Sequence, residues 1–296
     1  MSSIKVGFIG LGNMGMLMAK KLVEKKIPFT VYDLRKEAVD EIVALGAKAA
    51  SSNREVAAVS DVIISVVRDI PQNDEVIFGK DGVWEGIRKG ATIVLSSSIS
   101  PSYAQKLYDR AKKKGVRVVD APVSAEARDF TPGKEWALLT LMVGGDDDAV
   151  KYCWPVFEAI AKNVIHQGGI GTGMACKLVN NLAMYCNNIV ARECANLGLK
   201  AGLDLQKMAQ AISVSTGYSR AFGGMGRRMA GPPPPPRPPV TRAPGAKPPP
   251  EDLGTKDKRL ALEMAEEVGA KTPVTRFMEK LDLEAEYDAF PTMMRR

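Results

Sequence analysis

Short apolar segments alternate with amphipathic segments along the first half of the chain. The apolar segments comprise residues 4–9, 28–32, 61–67, 91–95, 116–121 and 138–143. Residues 14–26, 37–45 and 102–114 lie between them and carry apolar side chains at helical spacing. Because strands that are apolar throughout are buried on both faces, this alternation predicts a doubly wound, parallel sheet of the α/β class with helices on both sides.

The pattern changes after Gly173. Residues 174–201 run for 28 positions without proline, and only Gly198 interrupts them, which predicts one long helix. Helical spacing returns at residues 205–212 and 260–268. We therefore predict a sheet domain at residues 1–168 and an all-α domain at residues 169–296, joined by the long helix.

A proline-rich segment, GPPPPPRPPVTRAPGAKPPP, occupies residues 231–250. Proline lacks the amide donor that a helix needs, so this segment is expected to be a loop or polyproline II. Three interpretations stay open: an unstructured surface insertion, a ligand for an SH3-type domain, and the product of two compensating frame shifts.

Composition narrows the class of protein. With 296 residues and 45% hydrophobic content, the chain is long enough for two domains with real cores. The net charge of +7 is spread along helical segments without interleaved aromatic residues, so we expect a basic surface that favours anionic ligands and no nucleic-acid binding. No apolar run of about 18 residues and no signal segment is present, which predicts a cytoplasmic protein that does not enter a membrane. The four cysteines lack metal-ligand spacing, so we expect reduced thiols and no metal.

A glycine-rich motif, GFIGLGNMG, follows the first apolar segment. Gly10, Gly12 and Gly15 fit the pattern G-x-G-x-x-G between a strand and a helix, where the helix N-terminus offers amides to a pyrophosphate. Asp33 ends the second apolar segment, 18 residues after Gly15, where a carboxylate can bind the ribose hydroxyls of NAD. Arg35 follows, with Lys36, and can instead neutralise the 2′-phosphate of NADP. NAD is slightly favoured, and NADP remains open.

Oxidation of an alcohol by hydride transfer needs a group that takes the hydroxyl proton. The single histidine, His166, precedes a glycine turn, and a structural role at the end of a strand is its simplest interpretation. Lys177 is the better candidate, because it lies near the start of the long helix with Asn181 one turn later. A buried lysine has a lowered pKa and can exchange protons near pH 7. An ordinary Lys/Asn pair on a helix surface is the alternative.

Four motifs in order resemble the β-hydroxyacid dehydrogenase family, which includes 3-hydroxyisobutyrate and L-serine dehydrogenases and glyoxylate/succinic semialdehyde reductases. They are GFIGLGNMG (7–15), DAPVS (120–124), GGIGTGMACKLVNN (168–181) and GTKDKRLALEMAEEVG (254–269). The resemblance implies a Rossmann-type sheet domain and a homodimer or homotetramer in which the long helix packs between subunits. It also implies reversible, NAD(P)-dependent oxidation of a small β-hydroxy acid such as 3-hydroxyisobutyrate or L-serine. An NADPH-dependent aldehyde reductase and a non-catalytic dinucleotide-binding module are the alternatives.

The resemblance also implies roles for individual residues. Lys177 corresponds to the general acid and base, and Ser124 and Asn181 to residues that bind the substrate. The positions that correspond to cofactor contacts are Gly10, Gly12, Asn13, Met14, Gly15, Asp33, Arg35, Val67, Arg68, Ser98 and Lys256.

The chain departs from the family pattern in three places. Ala125 and Glu126 stand where the family has two glycines, and EARDFTPGKEW then lengthens the segment before LMVGG. The proline-rich segment stands where the family has a helix, and the C-terminal YDAFPTMMRR lacks the usual ending. Substrate identity is therefore less well determined by the sequence than the class of reaction.

Overall fold

The computed structural model describes residues 4–125, 138–223, 253–278 and 280. Glu126 with the segment that follows it, the proline-rich segment 231–250 and the C-terminal YDAFPTMMRR lie outside these residues. The chain forms two compact units, and the boundary between them falls between Leu178 and Val179. Each unit is described in turn.

The first unit is built on one mixed sheet that contains nine strands among the described residues. The strands are β1 Val6–Ile9, β2 Phe29–Tyr32, β3 Lys48–Ala49, β4 Val62–Ser65, β5 Thr92–Leu95, β6 Arg117–Asp120, β7 Val123–Ala125, β8 Leu139–Gly144 and β9 Asn163–Gly168. The helices before the long one are α1 Asn13–Glu24, α2 Lys36–Ala44, α3 Asn53–Val59, α4 Ile70–Phe78, α5 Val83–Gly86, α6 Pro101–Lys113 and α7 Asp147–Ile160.

The strand order is β3-β2-β1-β4-β5-β6-β8-β7, and β9 also pairs with β8. Strands β1 to β6 are parallel, with Val6 opposite both Phe29 and Val62, as the apolar pattern predicts. Strand β8 runs antiparallel to β6 and β7 and parallel to β9, so the sheet is mixed rather than wholly parallel. The chain passes from β6 into β7 without an intervening helix, and it returns as β8 beside both strands.

Alternate residues of the strands enter different cores, because successive side chains point to opposite faces of a sheet. Phe8 and Val94 belong to the core on the face that α1, α2 and α7 cover, whereas Ile9 and Ile93 belong to the core on the other face. All four side chains are buried. Burial on both faces explains why these strands are apolar throughout.

Helix α8, Thr172–Lys200, is the predicted long helix and crosses the boundary between the units. The second unit continues with α9 Leu205–Ser213, α10 Leu253–Glu267 and α11 Pro273–Met278. Its core includes Ala191, Ala195, Leu205, Ala209 and Phe222. Helix α10 begins earlier than the apolar pattern at residues 260–268 predicts. Helix α7, which contains Pro155, was not predicted from the sequence, whereas β9 contains His166, for which a strand was expected.

Candidate active site

The turn between β1 and α1 needs glycine at two positions for steric reasons. Gly10 has a φ of +94°, in the left-handed region, and a Cβ there would overlap the carbonyl oxygen of Val66. A Cβ at Gly15 would overlap the carbonyl oxygen of Gly10. Glycine at these two positions therefore lets α1 approach β1 and the end of β4.

Gly12 differs from its neighbours because an added Cβ would meet no atom of the described residues within 4 Å. It is the N-cap of α1 and makes no side-chain capping hydrogen bond, and Asn13 and Met14 open the helix after it. A helix N-terminus with open space in front of it can receive an anion. The turn therefore fits the pyrophosphate of a dinucleotide.

Asp33 is joined to this turn by both of its carboxylate oxygens. Oδ2 accepts a hydrogen bond from the backbone N–H of Leu11 at 2.5 Å, and Oδ1 accepts one from the N–H of Arg35 at 2.8 Å. The guanidinium of Arg35 donates to the carbonyl oxygen of Leu11 at 2.6 Å and lies 3.4 Å from Asp33 Oδ1. The Asp33 side chain is 11% exposed and that of Arg35 is 60% exposed. The ribose-binding candidates are thus one ion pair packed against the glycine turn.

The other predicted cofactor contacts of the first unit lie along the same edge of the sheet, where the parallel strands end. The N–H of Val67, after β4, donates to the hydroxyl of Ser97, after β5, at 3.0 Å. The N–H of Arg68 donates to Gln72 Oε1 at 3.0 Å, and Ser98 is half-buried. Ligands of open α/β sheets bind at this edge, so the structure brings the cofactor candidates of this unit together.

Ser124 lies in β7, just beyond the carboxyl end of β6, and its partner in β8 is Thr140. Asp120 is the last residue of β6 and is fully buried. Its carboxylate accepts hydrogen bonds from the backbone N–H groups of Gly171 and Met174, each at 2.7 Å. Burial raises the pKa of Asp120, and these hydrogen bonds oppose that increase.

Lys177 lies in the second turn of α8 and is only 8% exposed. Lysine is almost never so buried unless its charge is compensated, so the surface-pair alternative does not describe its surroundings. Asn181 follows four residues later on the same helix and is 6% exposed. The i, i+4 spacing puts both side chains on the same side of α8.

Two adjacent charged residues of α10, Lys256 and Asp257, are buried in the second unit with Asn181. Asn181 Nδ2 donates to Asp257 Oδ2 at 2.6 Å, and Lys256 Nζ lies 3.4 Å from Asp257 Oδ1. Asn181 Oδ1 accepts from Asn180 Nδ2 at 3.2 Å. The structure thus groups the predicted substrate residue Asn181 with the predicted cofactor residue Lys256.

His166 lies within β9, and its ring Nε2 is 2.9 Å from the carbonyl oxygen of Gly168 and 3.2 Å from that of Gly145. These contacts join the end of β9 to the end of β8. Its surroundings are those of a strand residue that binds backbone carbonyls.

Sequence reasoning did not select Asp120 or Asp257 as functional residues. Both lie inside motifs that resemble those of the family; Asp120 ends an apolar segment, whereas Asp257 stands between Lys256 and Lys258. Asp120 could have been found from the sequence, because it is an acidic residue at the end of an apolar strand.

Among the residues that the structure describes, no helix combines the length and the apolar character needed to cross a membrane. Within the same residues, His, Cys, Asp and Glu side chains form no group of three or more that can hold a metal ion.

Family models match both parts of the chain. Residues 5–169 match the model described as the NAD binding domain of 6-phosphogluconate dehydrogenase. Residues 171–289 match the model described as NAD-binding of NADP-dependent 3-hydroxyisobutyrate dehydrogenase.

Individual proteins show the same similarity. The chain is 36% identical over 273 residues to 2-(hydroxymethyl)glutarate dehydrogenase of Eubacterium barkeri. The matched region covers 92% of this chain and 86% of that protein. It is 36% identical over 216 residues to mitochondrial 3-hydroxyisobutyrate dehydrogenase of Mus musculus, covering 73% of this chain and 63% of the mouse protein. The fold is similar to that of Mycobacterium tuberculosis 3-hydroxyisobutyrate dehydrogenase solved with L-serine, with a TM-score of 0.76, 26% identity and 98% of each chain covered.

Proposed function

The chain belongs to the β-hydroxyacid dehydrogenase family and is an NAD(P)-dependent oxidoreductase, and from that premise we propose that Lys177 is its general acid and base. The observation that supports this role is a lysine only 8% exposed, one helical turn before a buried asparagine. A lysine held away from water can exchange its proton near neutral pH, which a solvated lysine cannot do efficiently.

Each step that this chain's residues perform follows from that role. The nicotinamide, when bound, supplies the acceptor for the hydride that leaves the hydroxyl-bearing carbon. Neutral Lys177 takes the proton from the substrate hydroxyl through Nζ and passes it to solvent. In the reverse direction, protonated Lys177 donates to the oxygen of the aldehyde. A general acid or base of this kind contributes about 10²- to 10⁴-fold to the rate.

Asn181 orients the substrate in this proposal, and Asp257 determines how the amide of Asn181 is turned. A carboxylate oxygen accepts hydrogen bonds and does not donate them, so the Asn181 atom at 2.6 Å from Asp257 Oδ2 must be Nδ2. Oδ1 then points away from Asp257 and is the atom of Asn181 that accepts. The second N–H of Nδ2, which Asp257 does not use, can donate to the oxygen of the substrate, whose single hydroxyl proton goes to Lys177.

We infer the class of substrate from the related proteins and from Ser124. Two of these proteins are named after the substrates 2-(hydroxymethyl)glutarate and 3-hydroxyisobutyrate, and a third was solved with L-serine. All three molecules carry a hydroxymethyl group on the carbon next to a carboxylate. Ser124, just beyond the carboxyl end of β6, binds that carboxylate. The substrate is therefore a 3-hydroxypropanoate with a substituent on carbon 2, such as 3-hydroxyisobutyrate or L-serine, and the product is its semialdehyde.

The Asp33–Arg35 pair supports NAD as the preferred cofactor. A partly exposed carboxylate can accept from the ribose hydroxyls and repels a 2′-phosphate. The Arg35 guanidinium, which would attract that phosphate, already binds Asp33 and the Leu11 carbonyl. We expect kcat/KM to be about tenfold or more higher with NAD than with NADP, a difference of about 1.4 kcal/mol. A preference for NADP would contradict this proposal.

Homo-oligomer formation is proposed from one face of α8. Val179, Val190 and Leu197 are 57%, 55% and 70% exposed, and spacings of 11 and 7 residues place them on one side of the helix. A second copy of the chain can cover this apolar face as a dimer or a tetramer. Val190→Glu should lower the mass measured by light scattering to that of a smaller assembly, whereas Val59→Glu on α3 should not. An unchanged mass for Val190→Glu would exclude this face.

The role of Lys177 is tested by Lys177→Ala, with Lys200→Ala at the exposed end of the same helix as the control. We expect Lys177→Ala to bind NADH with an unchanged Kd and to lose about 10³-fold or more in kcat. Lys200→Ala should keep wild-type turnover. The assay uses 3-hydroxyisobutyrate and L-serine with NAD and NADP, and glyoxylate and succinic semialdehyde with NADH and NADPH. Near-wild-type turnover of Lys177→Ala would exclude the proposed role.

A further inference from the structure

Asp120 is a buried carboxylate that the proposed reaction does not use directly. It has no exposed surface, and its two oxygens accept from the N–H groups of Gly171 and Met174, 51 and 54 residues later in the chain. The N–H of Gly173 also contributes to holding the carboxylate. Gly171 immediately precedes α8, and Gly173 and Met174 belong to its first turn, so Asp120 caps the helix that carries Lys177.

The other capped helices of the first unit obtain their caps locally. The N-cap residues of α3, α4 and α6 are Ser52, Asp69 and Ser100, and each uses its own side chain to accept from the first turn. Gly171 precedes α8, has a φ of +91° and carries no side chain that can cap. The side chain that caps the first turn of α8 therefore comes from the end of β6 rather than from the loop that precedes the helix.

Two glycines allow this approach. A Cβ at Gly144 in β8 would lie 2.5 Å from Asp120 Oδ1. A Cβ at Gly173 would lie 2.9 Å from both Asp120 O and Oδ2, and would overlap the carbonyl oxygen of Met142. Since neither glycine has a positive φ, close packing and not backbone conformation accounts for glycine at these positions. The ends of β6 and β8 and the start of α8 thus interlock around one carboxylate.

We propose that Asp120 is a positioning residue, which holds the first turn of α8 and thereby Lys177 in register with the β6–β7 segment that carries Ser124. This inference rests on the proposed role of Lys177. Met174, whose N–H binds Asp120, precedes Lys177 by three residues in a continuous helix, so a displacement of one moves the other. A displacement of about 1 Å at a reacting group can lower a rate by about 10²-fold.

Asp120→Asn is the first test, because asparagine keeps the shape of the aspartate side chain but has only one accepting oxygen. Its amide nitrogen then faces the N–H of Gly171 or of Met174 and cannot accept from it. We expect Asp120→Asn to bind one NADH per chain with a Kd within about threefold of wild type, because the glycine turn is unchanged. We expect kcat to fall by about 10²-fold. The primary deuterium isotope effect, measured with substrate deuterated at the hydroxyl-bearing carbon, should increase as proton and hydride transfer become rate-limiting.

Gly173→Ala tests the same link without changing the carboxylate, and it serves if Asp120→Asn does not fold. Alanine is the better helix former, so local propensity predicts a more stable helix. The overlap with Met142 O predicts instead a displaced α8, a lower kcat and a larger isotope effect. Gly169→Ala is the matched control in the same loop and should behave as wild type, because a Cβ at Gly169 meets nothing within 4 Å in the part of the chain that the structure describes.

The double variant Asp120→Asn/Lys177→Ala separates this inference from the proposed function. If Asp120 acts through Lys177, adding Asp120→Asn to Lys177→Ala should change the residual turnover less than about twofold. Multiplicative losses would overturn the inference. The inference would also be overturned if the loss of turnover in Asp120→Asn only matched the fraction of chains that no longer bind NADH, and the isotope effect stayed unchanged. Near-wild-type turnover of Lys177→Ala alone would instead exclude the proposed function.

Discussion

Two glycine-rich turns of the first unit each lead from a strand into a helix, yet they differ in what meets the N-terminus of the helix. At residues 10–15, Gly12 caps α1 without a side chain, and no atom of the described residues lies within 4 Å of an added Cβ. At residues 168–173, the buried carboxylate of Asp120 accepts from the N–H groups of Gly171 and Met174. The first turn is open to an external anion, and the second contains an internal one.

The difference shows that a glycine-rich turn before a helix is not by itself a nucleotide site. A helix N-terminus attracts negative charge in either case, because its first N–H groups have no partner within the helix. Where the chain supplies that charge, the turn becomes a joint between strands and helix. Where it does not, the turn can bind a phosphate group.

Gly10→Ala should have the largest effect on the first turn. A side chain at a φ of +94° costs about 1 to 2 kcal/mol, and the overlap with the Val66 carbonyl adds a cost of about the same size. We expect a clearly lower melting temperature together with loss of NADH binding, measured by thermal unfolding and fluorescence titration. Wild-type stability and affinity would show that this turn tolerates a side chain.

Gly12→Ala should separate binding from stability. An added Cβ meets no atom of the described residues within 4 Å, so the melting temperature should stay within about 2 °C of wild type, but the methyl group occupies the space in front of the helix. We expect the Kd for NADH to increase about 30-fold, equivalent to about 2 kcal/mol. Gly169→Ala, in the second turn, should change neither quantity. Equal effects of the two variants on NADH affinity would remove the proposed distinction between the turns.

Asp33→Asn tests the carboxylate beside the open turn. Asparagine can still accept from Leu11 N–H, but it no longer repels a 2′-phosphate or holds the Arg35 guanidinium by charge. We expect the ratio of kcat/KM for NAD to that for NADP to fall about tenfold. Asp40→Asn, in the exposed Lys36–Asp40 pair of α2, is the control and should leave the ratio unchanged. An unaltered ratio in Asp33→Asn would assign cofactor choice to other residues.

The carboxylate in the second turn should make stability depend on pH in a defined direction. Burial raises the pKa of Asp120 above its ordinary value of 3.8, so folding favours the protonated form. Its contribution to stability is complete below pH 3.8 and decreases as the pH rises through the folded-state pKa. The free energy of unfolding of wild type minus that of Asp120→Asn should therefore fall as the pH is raised from 4 towards 7, measured by denaturant unfolding. A difference that grows with pH would contradict this assignment.

The first turn was predictable from the sequence because its determinants are local. The three glycines lie within six residues, and Asp33 follows at the end of the next strand. The parallel strands β1 to β6 were predictable for a similar reason, since burial on both faces makes each of them apolar throughout. The antiparallel placement of β8 carries no such local signal and depends on how the chain returns to the sheet.

The contacts of α8, which carries Lys177, were not predictable in the same way. Lys177 and Asn181 stand out through their spacing of four residues, but their surroundings come from distant segments. Asp257 binds Asn181 across 76 residues, and Asp120 binds Met174 across 54. A pattern of apolar and polar residues reports on positions a few residues apart, so it cannot reveal contacts over such separations in the chain.

The sequence by itself determines the strands, the long helix and the steric need for Gly10 and Gly15, because burial patterns and backbone conformation act over a few residues. It also determines the chemical types available at the site, a lysine, an asparagine and several carboxylates. Only the tertiary structure decides which carboxylate meets which helix: Asp33 joins the open turn, and Asp120 fills the second. The physical reason is that a buried charge is stable only where distant N–H groups converge on it, and that convergence exists only in the folded chain.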